Sequence, residues 1–146
     1  MLRYREITAD LFSVPVASLA HCVSADLAMS AGIASSFRSR FGNVDALRQQ
    51  EGVVPLLRND SGNTYTHVFY LVTKERHWHK PTYDSLYVTL ITLQAIIARE
   101  RVTSIALPLI GCGLDGLDWN IVREMLFQIF RYTDLEMTIC KKPRRR

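Results

Sequence analysis

The chain has 146 residues, of which 48% are hydrophobic, 10% aromatic and 22% charged. That length suits one domain with one core, and that composition excludes a mainly disordered, collagen-like or low-complexity chain. The formal charge is +4, but Lys141, Lys142, Arg144, Arg145 and Arg146 place five of the eighteen basic residues in the last six positions. Residues 1–140 hold 13 basic and 14 acidic side chains, a net charge of −1. Any attraction of the domain itself to a polyanion must therefore come from local geometry rather than from a general positive field. The three cysteines, Cys22, Cys112 and Cys140, are far apart and form no C-x-x-C pair, so neither a disulfide framework nor a zinc site is expected, and a reducing compartment is. Met1 to Glu6 alternates charge with apolar residues and reads as no signal peptide. Ser85 to Ala98, the longest uncharged stretch of helical character, has 14 residues, against roughly 20 for a membrane span. The expectation is a soluble intracellular monomer with no membrane partner.

Leu2, Tyr4 and Ile7 suggest a first strand, and Ser18 to Val23 a second one buried on both faces. Ile33, Phe37 and Phe41 recur every four residues and predict a helical stripe over Ala31–Phe41 with Gly42 as its stop; a short helix over Val44–Gln50 follows. Val53–Leu57 and His67–Thr73 read as strands around the turn-forming cluster Asn59-Asp60-Ser61-Gly62-Asn63, a candidate hairpin. Pro81-Thr82 opens a long helix whose Leu86, Leu90, Leu93 and Ile97 line one face. Ser104–Leu107 is a strand ending at Pro108, and Gly111 to Gly116 is too rich in glycine for regular structure. Asp118 is a suitable N-cap for a last helix with Val122, Leu126, Ile129 and Phe130 inward, and Glu136–Cys140 returns as a strand. Strands alternating with helices predict a three-layer α/β/α domain around a mixed central sheet, covering residues 1–140, with 141–146 as a basic tail.

In such folds ligands collect where loops and helix amino termini follow strand ends. Asp10-Leu11-Phe12, Ser30-Ala31-Gly32-Ile33, Thr73-Lys74-Glu75 and Gly111 to Asp115 are the four candidates, and the glycines permit backbone to approach a pyrophosphate. There is no G-x-x-x-x-G-K-[ST] and no G-x-G-x-x-G opening a helix, which disfavours a P-loop NTPase or an ordinary dehydrogenase. His77-Trp78-His79 lacks the neighbouring thiolate or carboxylate of a metal site and reads as surface histidines flanking an aromatic. Cys112 reads as a small residue in a tight loop, with no base beside it.

From residue 3 to 140 these segments fall in the order and separation of a known family. Asp10-Leu11-Phe12, Ser18 to Ser24, Met29 with Ala31-Gly32-Ile33-Ala34, Tyr70 to Lys74, His79 to Tyr83, and Pro108 with Ile110 to Asp115 together carry the match. The chain resembles a macrodomain of the terminal ADP-ribose protein glycohydrolase type. The resemblance implies that Asp10, beside Leu11, hydrogen-bonds the adenine amine. It implies that Ala31, Gly32 and Ile33, with Pro108, Ile110, Gly111, Cys112, Gly113 and Leu114, enclose the diphosphate and distal ribose, and that His21 and Ser24 belong to the substrate site. Lys74 and Asp115 are implied as the catalytic pair, with no metal and no cofactor. In that scheme the lysine attacks the anomeric carbon, forming a covalent adduct that the aspartate helps to resolve. A lysine attacks only as the free amine, a form that an ordinary one populates in about one molecule in 2,500 at pH 7, and an ionised aspartate favours the ammonium, so the pair has to be poised by burial.

Three positions depart from the family pattern: Ala9 and Ser30 stand where glycine is common, and Leu109 where arginine is expected. They bear on affinity and substrate range rather than on fold. The function implied is removal of mono-ADP-ribose from acidic side chains of proteins and deacylation of O-acyl-ADP-ribose, with ADP-ribosylated proteins and ADP-ribose derivatives as partners. A binding module without turnover and a phosphatase acting on ADP-ribose phosphate are the alternatives. The basic tail reads as either a contact for an import receptor or nucleic acid, with the nucleus or cytoplasm as location, or a solvated appendage.

Overall fold

A computed structural model describes residues 1–58 and 65–143; the cluster Asn59–Asn63 and the terminal Arg144–Arg146 lie outside the described residues. Six strands form one sheet: β1 (Arg3–Thr8), β2 (Ser18–Ser24), β3 (Leu56–Arg58), β4 (His67–Lys74), β5 (Ser104–Leu107) and β6 (Glu136–Lys141). Their order is β1-β6-β5-β2-β4-β3. All neighbours are parallel except β3, which pairs antiparallel with β4. The sheet is mixed as expected, and five strands end at the same edge.

Alternation along the strands sorts side chains onto two faces. Phe69, Leu71, Ile105, Leu107, Met137 and Ile139 face one apolar cluster, covered by α3 (Tyr83–Glu100) and α4 (Trp119–Phe130) through Leu86, Leu90, Leu93, Ile97, Val122, Leu126 and Phe130. Leu19, Val68, Tyr70 and Ala106 face the other, covered by Phe37 of α1 (Gly32–Phe41) and Leu47 of α2 (Val44–Arg48). This is the three-layer arrangement that the periodicities predict.

The long helix starts where Thr82 and Ser85 form a reciprocal capping box, and Asp118 caps α4 by accepting from the Asn120 amide at 2.8 Å. The strand expected over Val53–Leu57 is displaced to Leu56–Arg58. Pro55 has no N–H for the ladder, although the carbonyls of Val53 and Pro55 still accept from Val72 and Tyr70 at 2.8 and 2.9 Å. On α1 only Phe37 of the expected stripe is fully buried, and Ile33 turns out to solvent at the helix start. The glycine-rich loop contains one short 3-10 turn, Gly113–Asp115. At the other terminus β6 continues to Lys141, one residue beyond the sequence boundary, because Lys141 pairs with Thr8 and its ammonium lies 3.1 Å from Glu6.

Candidate active site

The segments that follow β1, β6, β5, β2 and β4 open onto one cleft of about 1240 Å³. From β1 to β4 is four strand spacings, roughly 19 Å at about 4.8 Å each, which suits an elongated ligand with a ring at either end. Asp10 follows β1, and Lys74 ends β4. The resemblance assigns those two residues to opposite ends of the ligand, and the strand order sets them apart accordingly.

Asp10 caps the turn Leu11–Ser13 through one carboxylate oxygen, which accepts from the Phe12 amide at 3.0 Å. Phe12, to which the resemblance gives no role, also lines the cleft. Its ring lies 5.1 Å from Phe37, and the Arg40 guanidinium sits 4.1 Å from its centroid. The Asp10-Leu11-Phe12 match held a signal for Phe12; Arg40 had none, being one helical arginine among several.

In the middle of the cleft Ala31, Gly32 and Ile33 form the start of α1. Unlike α3 and α4, α1 has no side-chain cap, and its first turn holds no acidic residue. Its amides therefore keep their capacity for an anion, which the helix dipole favours. Opposite stand Pro108, Ile110, Gly111, Cys112 and Gly113; Leu114 contributes backbone to the turn Gly113–Asp115. Gly111 has φ +72°, a conformation that favours glycine, and a Cβ there would also press on the movable Leu117 Cδ1 at 2.8 Å.

Lys74 Nζ lies 2.8 Å from Asp115 Oδ1, the two side chains being 15% and 20% exposed. A β-bulge shifts the β2–β4 register at this point: Val23 faces Val72, but Ser24 faces Lys74. Bulges re-aim side chains at strand ends, and this one sits where the lysine leaves the ladder. The pair is mostly covered yet borders the cleft.

Ser24 lines the cleft but spends its hydroxyl on Asp26. His21 does not border the cleft. On β2 its side chain shares the α1-facing side of the sheet with Leu19, and its ring is fully buried, stacked on Phe37 at 3.7 Å and meeting Tyr70 edge-on at 4.9 Å. Burial pushes its pKa down to about 3; its place is in the floor of the domain. Burial, with the Asp115 charge, pushes the Cys22 thiol up to about 12, and burial with Asp118 and Asp115 raises that of Cys112. Neither is poised as a nucleophile. Among the described residues no three or more His, Cys, Asp or Glu side chains group as metal ligands, and no helix is long and apolar enough to cross a membrane.

Over 141 residues, 94% of this chain and 90% of the other, the sequence is 40% identical to human ADP-ribose glycohydrolase OARD1. The chain belongs to the OARD1-type macrodomain family. The bovine OARD1 is 38% identical over the same span. The solved macrodomain of Thermus aquaticus DarG superposes with a TM-score of 0.85 at 25% identity, covering 96% of this chain and 97% of that one. No family model matches the chain.

Two features of this OARD1-type macrodomain escape the sequence reading. Lys142 and Pro143 line the cleft beside Asp10, because β6 pairs with β1 and delivers the start of the basic tail to that end. At the opposite end His77, Trp78, His79 and Lys80 also line it. The three positions that depart from the family pattern, Ala9, Ser30 and Leu109, border the cleft as well. Neither Ala9 nor Ser30 has a positive φ, so their backbone does not demand glycine. Leu109 leaves that stretch of wall without a guanidinium.

Proposed function

We propose that this macrodomain removes mono-ADP-ribose from ester-linked acidic side chains of proteins and deacylates O-acyl-ADP-ribose, with Lys74 as nucleophile and Asp115 as its proton partner. The observation that carries the reading is the 2.8 Å contact between Lys74 Nζ and Asp115 Oδ1 at the mostly covered end of the cleft. The human OARD1 relative is named as an ADP-ribose glycohydrolase, and it matches nearly the whole chain.

The geometry supports the following sequence. Ligand binding displaces water from the strand end, and the Lys74 ammonium passes a proton to the adjacent Asp115 carboxylate. The freed lone pair attacks the anomeric carbon of the distal ribose. The bond from that carbon to the ester oxygen breaks, and its electron pair leaves with the carboxylate of the acceptor. Water then attacks the same carbon as the bond from that carbon to Lys74 Nζ breaks with its electron pair on the nitrogen; Asp115 returns its proton to Lys74, the surplus proton of the water passes to solvent, and ADP-ribose departs. The uncapped start of α1 and the amides around Gly111 hold the diphosphate while this happens.

The test is release of ADP-ribose from a glutamate-modified protein. Lys74→Ala is expected to lose at least a hundredfold in rate, in the range typical for removing a group that takes part in bond making or proton transfer. Equal rates for wild type and variant would overturn the mechanism. Tight binding of ADP-ribose with no turnover of any ester would assign the chain to binding alone.

A further inference from the structure

We propose that the outer face of α3 is the contact surface of a homodimer, on which a second copy of this chain packs its own α3 antiparallel about a twofold axis beside Ile91. The monomer expected from the sequence leaves this face unexplained.

α3 has 18 residues, and Leu86, Leu90, Leu93 and Ile97 on its inner side are buried against the sheet. The outer side of such a helix normally carries charges. Here it does not: Ser85 to Ala98 contains no charged residue, and Tyr87, Val88 and Ile91 are 43%, 55% and 44% exposed. Among the described residues no other element exposes more than one large hydrophobic side chain. Asp84, Val88, Ile91, Ala95 and Ala98 are all exposed and follow one another at intervals of four, three, four and three. That is the heptad spacing by which one helix packs along another. α3 thus carries two seams, and the domain uses only the inner one.

Charge and bulk both select an antiparallel copy of the same helix as the occupant of the outer seam. The two ends of this face have opposite signs, Asp84 at the start and Arg99 in the last turn. The Arg99 guanidinium is 64% exposed and 3.9 Å from Glu100, which Arg58 already engages. Antiparallel packing sets Asp84 of each copy against Arg99 of the other, whereas parallel packing would set like charge against like. Bulk is divided the same way, with Val88 and Ile91 in the first half of the seam and Ala95 and Ala98 in the second. Reversing one helix against the other lays Val88 on the partner's Ala95, large on small. The pairings of Asp84 with Arg99 and of Val88 with Ala95 share one midpoint, between Ile91 and Thr92, so a single twofold axis satisfies both. None of these residues lines the cleft. Because α3 begins at the cleft end of the sheet, the antiparallel partner's cleft opens at the opposite end of the dimer and both stay accessible. At about 1.5 Å per residue the helix runs about 27 Å. One face of that length falls short of the roughly 800 Å² per partner of a standard interface, so the dimer is a weak one, with Kd in the micromolar range.

Sedimentation equilibrium of the full chain, from about 5 to about 500 µM so as to span that range, tests the proposal. The average mass of the wild type is expected to rise with concentration from 16.7 kDa toward twice that value. Ile91→Arg, an exposed substitution whose fold is checked by circular dichroism, is expected to stay at the monomer mass throughout. Asp84→Arg and Arg99→Asp should each raise Kd by about tenfold, since each replaces two symmetry-related ion pairs with repulsions, and the double reversal should recover most of that loss. A wild-type mass that stays monomeric, a dimer that persists in Ile91→Arg, single reversals without effect, or a double reversal no tighter than the singles would each overturn the proposal.

Discussion

Single residues in this domain show how the same side-chain chemistry serves different ends according to what surrounds it. Lys74 and Asp115 form their contact at the border of a cleft, whereas His21, two strand positions before Val23 on the cleft wall, is sealed between Phe37 and Tyr70. His21 titrates near 6.5 in an unfolded chain but only at about 3 in the fold. Below pH 6.5 the unfolded state therefore binds more protons, and stability falls as pH falls, by on the order of 1 kcal/mol per pH unit until the folded value is reached. Denaturant melts between pH 6.5 and 4.5, above the range where ordinary carboxylates titrate, should show this slope, and His21→Leu should flatten it. A slope unchanged in the variant would mean that the buried ring is not its source. His21 also marks a limit of motif matching: the segment Ser18–Ser24 matches the family as a whole, yet only its last three residues, Cys22, Val23 and Ser24, reach the cleft, while His21 one residue earlier is sealed within the layer.

Among the elements, β1 and α4 are joined by a charged network on the side of the sheet away from Lys74. The Glu6 carboxylate accepts from Arg123 Nε and Nη2 at 2.6 and 3.0 Å, from the Tyr4 hydroxyl at 2.6 Å and from the Trp119 indole at 3.2 Å, with Lys141 beside it. Arg123 above all holds its pKa down at about 2. The stability this contributes is complete above the unfolded value near 4.5 and is lost as pH falls from there toward 2. Glu6→Gln should lower the melting temperature at pH 7 and lose less than wild type on acidification to pH 3; parallel acid profiles would show that the network carries no such linkage. No short motif announced this network, because its members lie more than a hundred residues apart along the chain, Glu6 to Arg123. By contrast, the helices were legible one at a time: Leu86, Leu90, Leu93 and Ile97 are all buried where their spacing put them, and Thr82 and Asp118 cap as their residue types suggest. The strand expected from Val53 begins only at Leu56 because Pro55 interrupts the ladder, and a hydrophobic pattern does not register a missing donor.

For the whole molecule, the layers and much of the cleft could be read from the order of strands, helices and loops, since five parallel strands must end together and bring their following loops to one edge. The charge distribution could not. Counting made the domain slightly acidic and set the basic residues apart as a tail, but β6 carries Lys141 into the sheet and Lys142 onto the cleft wall. With Arg40, Lys74 and Lys80, this makes the cleft rim positive on a body that is not. Lys141 and Lys142, the start of the basic segment, are thus joined to the sheet and the site. Everything at this scale converges on one claim, that the cleft presents the anomeric carbon of a bound ADP-ribose to Lys74. Intact mass spectrometry after incubation with ADP-ribose, followed by peptide mapping, tests it most directly. The account predicts a covalent sugar adduct on Lys74 that Lys74→Ala abolishes; an adduct confined to other lysines, or none on a protein that hydrolyses the ester, would contradict it.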